Sequence, residues 1–332
     1  MKEHFRLETE RLKRSWSCYD HGTLSNYLIQ DVEDPRINIQ SILTRHFLVR
    51  QLFGDKFEEL MDHELRFALV VNWVMTLLNR GIPTGQLCGV LDALTDGQTE
   101  SDGLRIPEYV SETFSALEFP NYISDLLMRE MNATEEAAIP SRILSTFEQI
   151  WSEVLHDEKA ARISVTEPAC GSANDYRFIH SFGIARLIDY TGFDLCPKNI
   201  DNARTMLPGI RFKVGNAMEI DAANNSFDYC FVHDLFEHLS LDAMEAAVAE
   251  VLRVTHSALF LGFFNVYDGA EHIEQPVREY HWNTLSLPRL KGLIDRHTSE
   301  VDVIDIDTFL KDRFGCRDTH NKDACTLIIN LR

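Results

Sequence analysis

The chain of 332 residues is poor in positive charge: 32 lysines and arginines stand against 52 aspartates and glutamates, a net charge of −20. Neither half is basic and no Lys/Arg cluster breaks the deficit, so no nucleic-acid partner is expected, because a phosphate backbone repels such a surface. The seven cysteines, at 18, 88, 170, 196, 230, 316 and 325, are odd in number and contain no CxxC pair. That argues against a disulfide framework and a zinc knuckle, and free thiols are expected, with no metal. Long apolar runs are missing too. The longest, Phe67 to Leu78, has 12 residues and includes Asn72, whereas a membrane span needs about 20, so it reads as a buried helix and no membrane association is expected. The first residues, MKEHFRLETERLKR, lack the apolar core of a signal peptide, and the expected location is cytoplasmic. There is no internal repeat and no low-complexity segment.

What is present is ordinary globular material, 45% hydrophobic and 25% charged, enough for one large domain or two. From Arg36 to about Arg80 apolar residues recur at helical spacing (Ile39, Ile42, Leu43, Phe47, Leu48, then Phe57, Leu60, Met61, Leu65, Leu69), which predicts two or three amphipathic helices. Gly54-Asp55 and Gly81-Ile82-Pro83 supply the breaks. The polar run TDGQTESDGLR, 95–105, reads as an exposed loop, followed by helix near 108–131, a junction at Thr134 to Pro140 and a connecting helix over 141–155. After Lys159 short β-branched and aromatic runs alternate with helical ones, the pattern of a parallel sheet faced by helices. Strands are predicted at 163–167, 188–194, 210–214, 227–233, 257–263, 301–306 and 324–330, and helices near 173–182, 197–206, 241–253 and 286–296. The expected fold is α/β, a seven-stranded doubly wound Rossmann-like sheet (161–332) with a separate N-terminal helical domain (1–160).

The first predicted strand runs into Glu167-Pro168-Ala169-Cys170-Gly171-Ser172-Ala173-Asn174. In open α/β sheets ligands bind beyond the carboxyl ends of the strands, and small residues there let a ligand approach the backbone. A dinucleotide fingerprint G-x-G-x-x-G falls on Ala169, Gly171 and Asn174, one glycine of three, which weakens a pyrophosphate reading. An acid at the strand end followed by small residues around Gly171 remains. This resembles motif I of the class I S-adenosylmethionine (SAM) dependent methyltransferases, acid-x-Gly-x-Gly-x-Gly, with Ala169 and Ala173 in place of two glycines. Three further segments agree in order. Gly192-Phe193-Asp194-Leu195 ends the second strand, Val214-Gly215-Asn216-Ala217-Met218-Glu219 follows the third, and Ser226 to Asp234 leads into Leu235-Phe236-Glu237-His238-Leu239.

The resemblance covers about residues 161–332 and implies a fold, a cofactor and a set of residues. SAM is the implied cofactor and S-adenosylhomocysteine the product. Glu167, Ala169 and Gly171 would form the turn beneath it. Asp194 would accept both ribose hydroxyls on free carboxylate oxygens, with Leu195 beside the adenine, although capping a helix at Pro197 is the plainer role for that aspartate. Asn216, Ala217 and Met218 would meet the adenine, or simply make a turn. His233 ends the fourth strand in the cleft. His238, His233 and His281 are the candidate bases, since imidazole changes charge near neutrality, though a histidine at a strand end is more often structural. Tyr280-His281-Trp282 could sandwich a flat acceptor or close a core. Glu250 and Arg253 resemble the family's E-x-x-R-V helix ending, a pair that contributes little if exposed. Trp16, Tyr19 and Tyr27 could close over the cofactor by analogy with some small-molecule members.

The expected function is methyl transfer to a small-molecule acceptor, by O- or N-methylation. A non-catalytic SAM-binding regulatory module is the alternative, and a nicotinamide-dependent oxidoreductase the third. The helical half is expected to serve as acceptor lid, as a homodimer interface, or both.

Overall fold

Strand order in the computed structural model is the key to where its chemistry sits. The structure describes residues 39–115 and 163–331, apart from 174, 177–178, 180–184, 186–187, 278–279, 299 and 318–321. Seven strands form one sheet: β1 (Ile163–Pro168), β2 (Ile188–Asp194), β3 (Arg211–Val214), β4 (Phe227–Val232), β5 (Thr255–Phe263), β6 (Val301–Asp305) and β7 (Cys325–Asn330). They lie in the spatial order β3-β2-β1-β4-β5-β7-β6. The first five are mutually parallel, while β7 runs antiparallel between β5 and β6. The order reverses between β1 and β4, so the loops after these two strands part there and leave a crevice.

Helices fall where the punctuation of the sequence puts them. Pro197 opens α5 (Pro197–Met206), where its fixed φ and missing N–H cost nothing. Ser240 caps α6 (Leu241–Val254) by accepting from the Ala243 N–H. Its apolar stripe, Ala243, Met244, Ala247, Val248, Val251 and Leu252, is buried against one face of the sheet. Helix α7 (Leu287–Ile294) starts from the Ser286 cap. A helix not anticipated, α8 (Ile306–Phe314), links β6 to β7, capped by Asp305 and ended by Gly315 at φ 68°. Arg253 does more than pair with Glu250. Its guanidinium also donates to the carbonyls of Ile220 and Ala222, and Glu250 accepts from the Ile220 N–H, so the pair clamps the loop before β4.

On the amino-terminal side, α1 (Ile39–Phe53), α2 (Glu58–Asn79), α3 (Thr84–Thr95) and α4 (Glu108–Ser115) follow the predicted breaks. The run from Phe67 to Leu78 lies within α2, with Ala68, Leu69, Val70, Val74 and Leu77 buried. No helix among the described residues is long and apolar enough to cross a membrane. The loop at 95–105 holds a small hairpin, Glu100–Ser101 against Leu104–Arg105. Helix α1 lies on the face of β4, β5 and β7, and one apolar cluster runs from Ile42, Leu69 and Val110 into Val165, Phe231 and Phe260. The physical reason is that this face of the sheet needs an apolar cover and α1 supplies it. Arg313 on α8 adds a charged tie, donating to both oxygens of Asp62 and to Glu58 of α2. The expected helices at 116–131 and 141–155, and Trp16, Tyr19 and Tyr27, lie outside the described residues.

Candidate functional site

The turn leaving β1 shows why the motif favours glycine. Ala169, Gly171 and Ala173 have φ values of 63°, 53° and 65°, the left-handed region that costs an L-residue about 1–2 kcal/mol. Two alanines hold positions that a Cβ strains. At Gly171 a Cβ would meet nothing within 4 Å, so the turn presents open backbone to whatever occupies the crevice. Asp175 and Tyr176 are helical, while most of the helix expected near 173–182 lies outside the described residues.

Glu167 points inward rather than into the crevice. It is buried, and its Oε2 accepts the hydroxyl of Tyr190 from β2. Gly192, paired with Glu167 across the strands, leaves the room, since a Cβ there would sit 2.8 Å from Cys170 Sγ and 2.9 Å from the Tyr190 hydroxyl.

Asp194 departs from expectation. Its two oxygens are not free: Oδ2 accepts the Gly171 N–H at 2.9 Å, and Oδ1 accepts the Cys196 N–H at 2.8 Å and the Asn199 amide at 3.2 Å. It fixes the residue that leads into α5 and the motif turn at once. A carboxylate has about four acceptor positions, so one is left for a sugar hydroxyl, where two had been expected. Burial pushes its pKa up against the lowering by these donors. Asn216 behaves similarly, its Oδ1 accepting the Met218 N–H at 3.0 Å within the turn. Leu195 and Ala217 are half-buried and Met218 is buried.

Beyond β4 the three histidines separate in role. His233 Nε2 lies 2.6 Å from Asp175 Oδ2, and Nδ1 lies 3.3 Å from Asp234 Oδ2. Burial alone would lower its pKa, but the two aspartates outweigh it and push the imidazole well above its ordinary value. With both nitrogens turned to carboxylates and the ring charged, His233 has no lone pair to act as a base, which corrects its place among the candidates. Glu167, Asp175 and His233 bring donor atoms within 4.8 Å of one another, bound up in the pairs just described.

His238 is the opposite case. Its Nδ1 faces the main-chain oxygen of His281 at 3.2 Å. A carbonyl only accepts, so Nδ1 carries the proton and Nε2 the lone pair. Burial holds its pKa below the ordinary value. Rings surround it: Phe264 at 5.2 Å, Trp282 at 5.3 Å and Tyr280 at 5.7 Å between centroids, with Phe264 and Trp282 5.1 Å apart. His281 contributes that main-chain oxygen, while its buried imidazole has Nε2 3.3 Å from Glu274. Trp282 is 45% exposed, so the box has an open side.

Glu237 was passed over in the sequence, and burial explains its weight. It is fully buried, and its Oε1 accepts the N–H groups of Phe264 at 2.7 Å and Asn265 at 3.2 Å. Its main-chain oxygen accepts the Asn283 N–H, while Asn283 in turn donates to the Leu239 carbonyl and accepts from the Gln275 N–H. The segments carrying His238, Phe264 and Trp282 therefore hang from one residue. Burial pushes the Glu237 carboxyl up to about 8. Adjacent to His238 in sequence, it offered no other signal.

A sheet of order 3-2-1-4-5-7-6 with an open left-handed turn after β1 and acids closing β1 and β2 is a Rossmann-like architecture, whose crevice at the strand reversal is where such sheets bind ligands. Residues 165–257 match the methyltransferase domain family. Over that segment the chain carries a methyltransferase domain, which supports the expected class I SAM-dependent methyltransferase with SAM as cofactor. No curated protein matches the chain. Solved structures similar to it include a 1,6-didemethyltoxoflavin-N1-methyltransferase of Burkholderia thailandensis with bound 1,6-didemethyltoxoflavin and S-adenosylhomocysteine (15% identity, TM-score 0.40, 66% of this chain and 89% of that one). A SAM-dependent methyltransferase of Methanosarcina mazei gives 16%, 0.38, 53% and 95%, and one of Mesorhizobium loti gives 12%, 0.39, 56% and 98%. The assignment stands on the domain match, the strand order and the turn.

Proposed function

We propose that the enzyme methylates an O–H or N–H group of a small, flat molecule, with His238 as the general base. The observation that carries this is the fixed tautomer of His238: a neutral imidazole whose free nitrogen sits among three aromatic rings at the carboxyl end of β4. Bound SAM supplies a methyl group already activated as a sulfonium, so the chain's own work is to orient the acceptor, exclude water and accept one proton. The rings of Phe264, Tyr280 and Trp282 orient a planar acceptor, and Nε2 of His238 accepts its proton as the new bond to carbon forms. His233, charged and held by Asp175, stays a fixed positive group beside the crevice.

For the cofactor we propose Gly171 and Ala169 beneath it, the remaining acceptor position of Asp194 on the ribose, Leu195 and Met218 along the adenine, and Asn216 with Ala217 at its edge. The open space at Gly171 supports this fit. Glu167 acts from behind by holding Tyr190. The helices before β1 serve as cover and acceptor lid, and the net charge of −20 favours a small molecule over nucleic acid. The working location proposed is the cytoplasm.

The test is transfer of radiolabelled methyl from SAM across a panel of phenols and nitrogen heterocycles. His238→Ala should lose at least a hundredfold in turnover, the ordinary contribution of a general base, while calorimetry shows unchanged S-adenosylhomocysteine binding. Full turnover by that variant would refute the assignment.

A further inference from the structure

On the face of the sheet covered by α1, two polar side chains are sealed in without partners. Gln40, in the first turn of α1, is 1% exposed, and Thr326 on β7 is 0% exposed. Neither Gln40 Nε2 nor Thr326 Oγ1 has a hydrogen-bond partner among the described residues. Buried polar groups are nearly always paired, and these two flank the same glycine. Thr326 is directly opposite Gly262 in the β5–β7 register. A Cβ at Gly262 would stand 3.2 Å from Gln40 Nε2 and 2.9 Å from the Cβ of His233. Alternation settles the direction of Thr326: Cys325, Leu327 and Ile329 belong to the opposite core, while Ile328 packs into the cluster that contains α1. His233, Gly262 and Thr326 thus form a row over the carboxyl ends of β4 and β5 and the adjoining start of β7, roofed by Gln40.

We propose that Gln40 and Thr326 form a subsite that binds a second, neutral oxygen of the methyl acceptor, a hydroxyl or a carbonyl. This rests on the acceptor reading above. Sheet order separates the subsite from the cofactor. The motif turn, Asp194 and Asn216 place adenosine over β1, β2 and β3, and neighbouring strands are about 4.8 Å apart. The sulfur-to-carboxylate chain of SAM spans about one such interval, whereas β7 lies three strands beyond β1, roughly 14 Å away. The oxygen that satisfies these donors therefore belongs to the acceptor. Charge selects its kind. Asp175 and Asp234 flank the single cation of His233, so a carboxylate would meet surplus negative charge, and His233 has no ring N–H to spare for it. The Gln40 amide donates to such an oxygen, and the Thr326 hydroxyl donates to it or accepts from it. Gly262 provides the absent side chain that lets Gln40 and His233 pack close to the strand beside Thr326.

The experiment uses the full chain saturated with S-adenosylhomocysteine and measures binding of naphthols, dihydroxynaphthalenes and hydroxynaphthaldehydes by calorimetry. Wild type is expected to bind at least one two-oxygen member about tenfold more tightly than the naphthol with the same first hydroxyl. Gln40→Leu and Thr326→Val should each abolish that advantage while the naphthol affinity and the S-adenosylhomocysteine affinity stay as they were, which also shows that the variants are folded. Absence of the advantage from wild type, or its survival in both variants, overturns the subsite. If naphthols bind and are methylated without any second-oxygen preference, the subsite fails and the His238 box stands. If no member binds or turns over, both fail.

Discussion

Glu237 offers the most quantitative test of how the acceptor box is held. In Glu237→Ala the N–H groups of Phe264 and Asn265 lose their shared acceptor. Each partly buried donor left unmade costs about 1–3 kcal/mol, and taking the lower part of that range for partial exposure gives a loss of about 2–4 kcal/mol. Glu237→Gln keeps a side-chain oxygen in place and resembles the protonated acid, so its loss at neutral pH should be under about 1 kcal/mol. The pH dependence separates this from generic core damage. In the fold the carboxyl titrates at about 8, against an ordinary value of 4.5. Between those values the folded state holds a proton that the unfolded chain has released, so stability falls as pH rises from 4.5 to 8, by at most roughly 5 kcal/mol at ~1.4 kcal/mol per pH unit. Urea unfolding followed by circular dichroism at pH 5, 6, 7 and 8 should show wild type losing stability relative to Glu237→Gln across this range. Parallel curves for the two proteins, or an alanine variant as stable as wild type, would refute the reasoning.

Four further outcomes are expected. The acidic limb of the turnover profile should fall below pH 6.5, because the neutral form of His238 is the base and burial holds its pKa under that value; a limb centred above pH 7 would point to another group. Ala169→Gly and Ala173→Gly should each change stability favourably by up to about 1 kcal/mol by relieving left-handed strain, read as an increase in the urea midpoint. Asp194→Asn should weaken S-adenosylhomocysteine about tenfold, and Asp194→Ala more, since the latter also frees the Gly171 and Cys196 N–H groups; equal binding by all three proteins in calorimetry would remove Asp194 from the site. His46 is held down to about 4, chiefly by burial and then by Arg313, so the unfolded chain takes up a proton that the fold refuses and stability is lost as pH falls from 6.5 towards 4; His46→Gln should flatten that slope in the same unfolding assay.

The fold was legible where a local rule acts alone. The β-branched and aromatic run 188–194 and Pro197 located β2 and α5 to the residue. Helix α8 was missed because IDTFLKDRF is too short to show a period, and its cap, Asp305, and first residue, Ile306, fall inside the strand predicted at 301–306. In the site, Gly171 could be read as a turn, but Ala169 and Ala173 concealed the same left-handed backbone, since alanine gives no such hint. The freedom of the Asp194 oxygens could not be judged from sequence, because Gly171 reaches them only through the pairing of β1 with β2. His233 looked like a base until its partner was seen: Asp175, on the segment after β1, meets it only because the sheet sets β4 beside β1. Gln40 and Thr326, brought together by α1 lying across β5 and β7, had no local signature at all.

The distribution of satisfied hydrogen bonds divides the two ends of the sheet. At β1, β2 and β3 the polar groups have already been committed to one another: Tyr190 on Glu167, Gly171 and Cys196 on Asp194, Met218 on Asn216. Such a surface is fixed before any ligand arrives and suits a cofactor whose shape never changes, because little ordering remains to be done on binding. At β4, β5 and β7 the pattern reverses. Gln40 Nε2, Thr326 Oγ1, Glu237 Oε2 and the His281 Nδ1 are buried without partners among the described residues. Unmet hydrogen-bonding capacity in a buried setting costs stability and discriminates strongly between molecules that do and do not satisfy it. The proposed selectivity for the acceptor therefore falls to the half of the sheet that α1 covers. A variant that replaces Gln40 and Thr326 with apolar side chains should gain stability while losing discrimination among acceptors, with methyl transfer to the simplest ring retained.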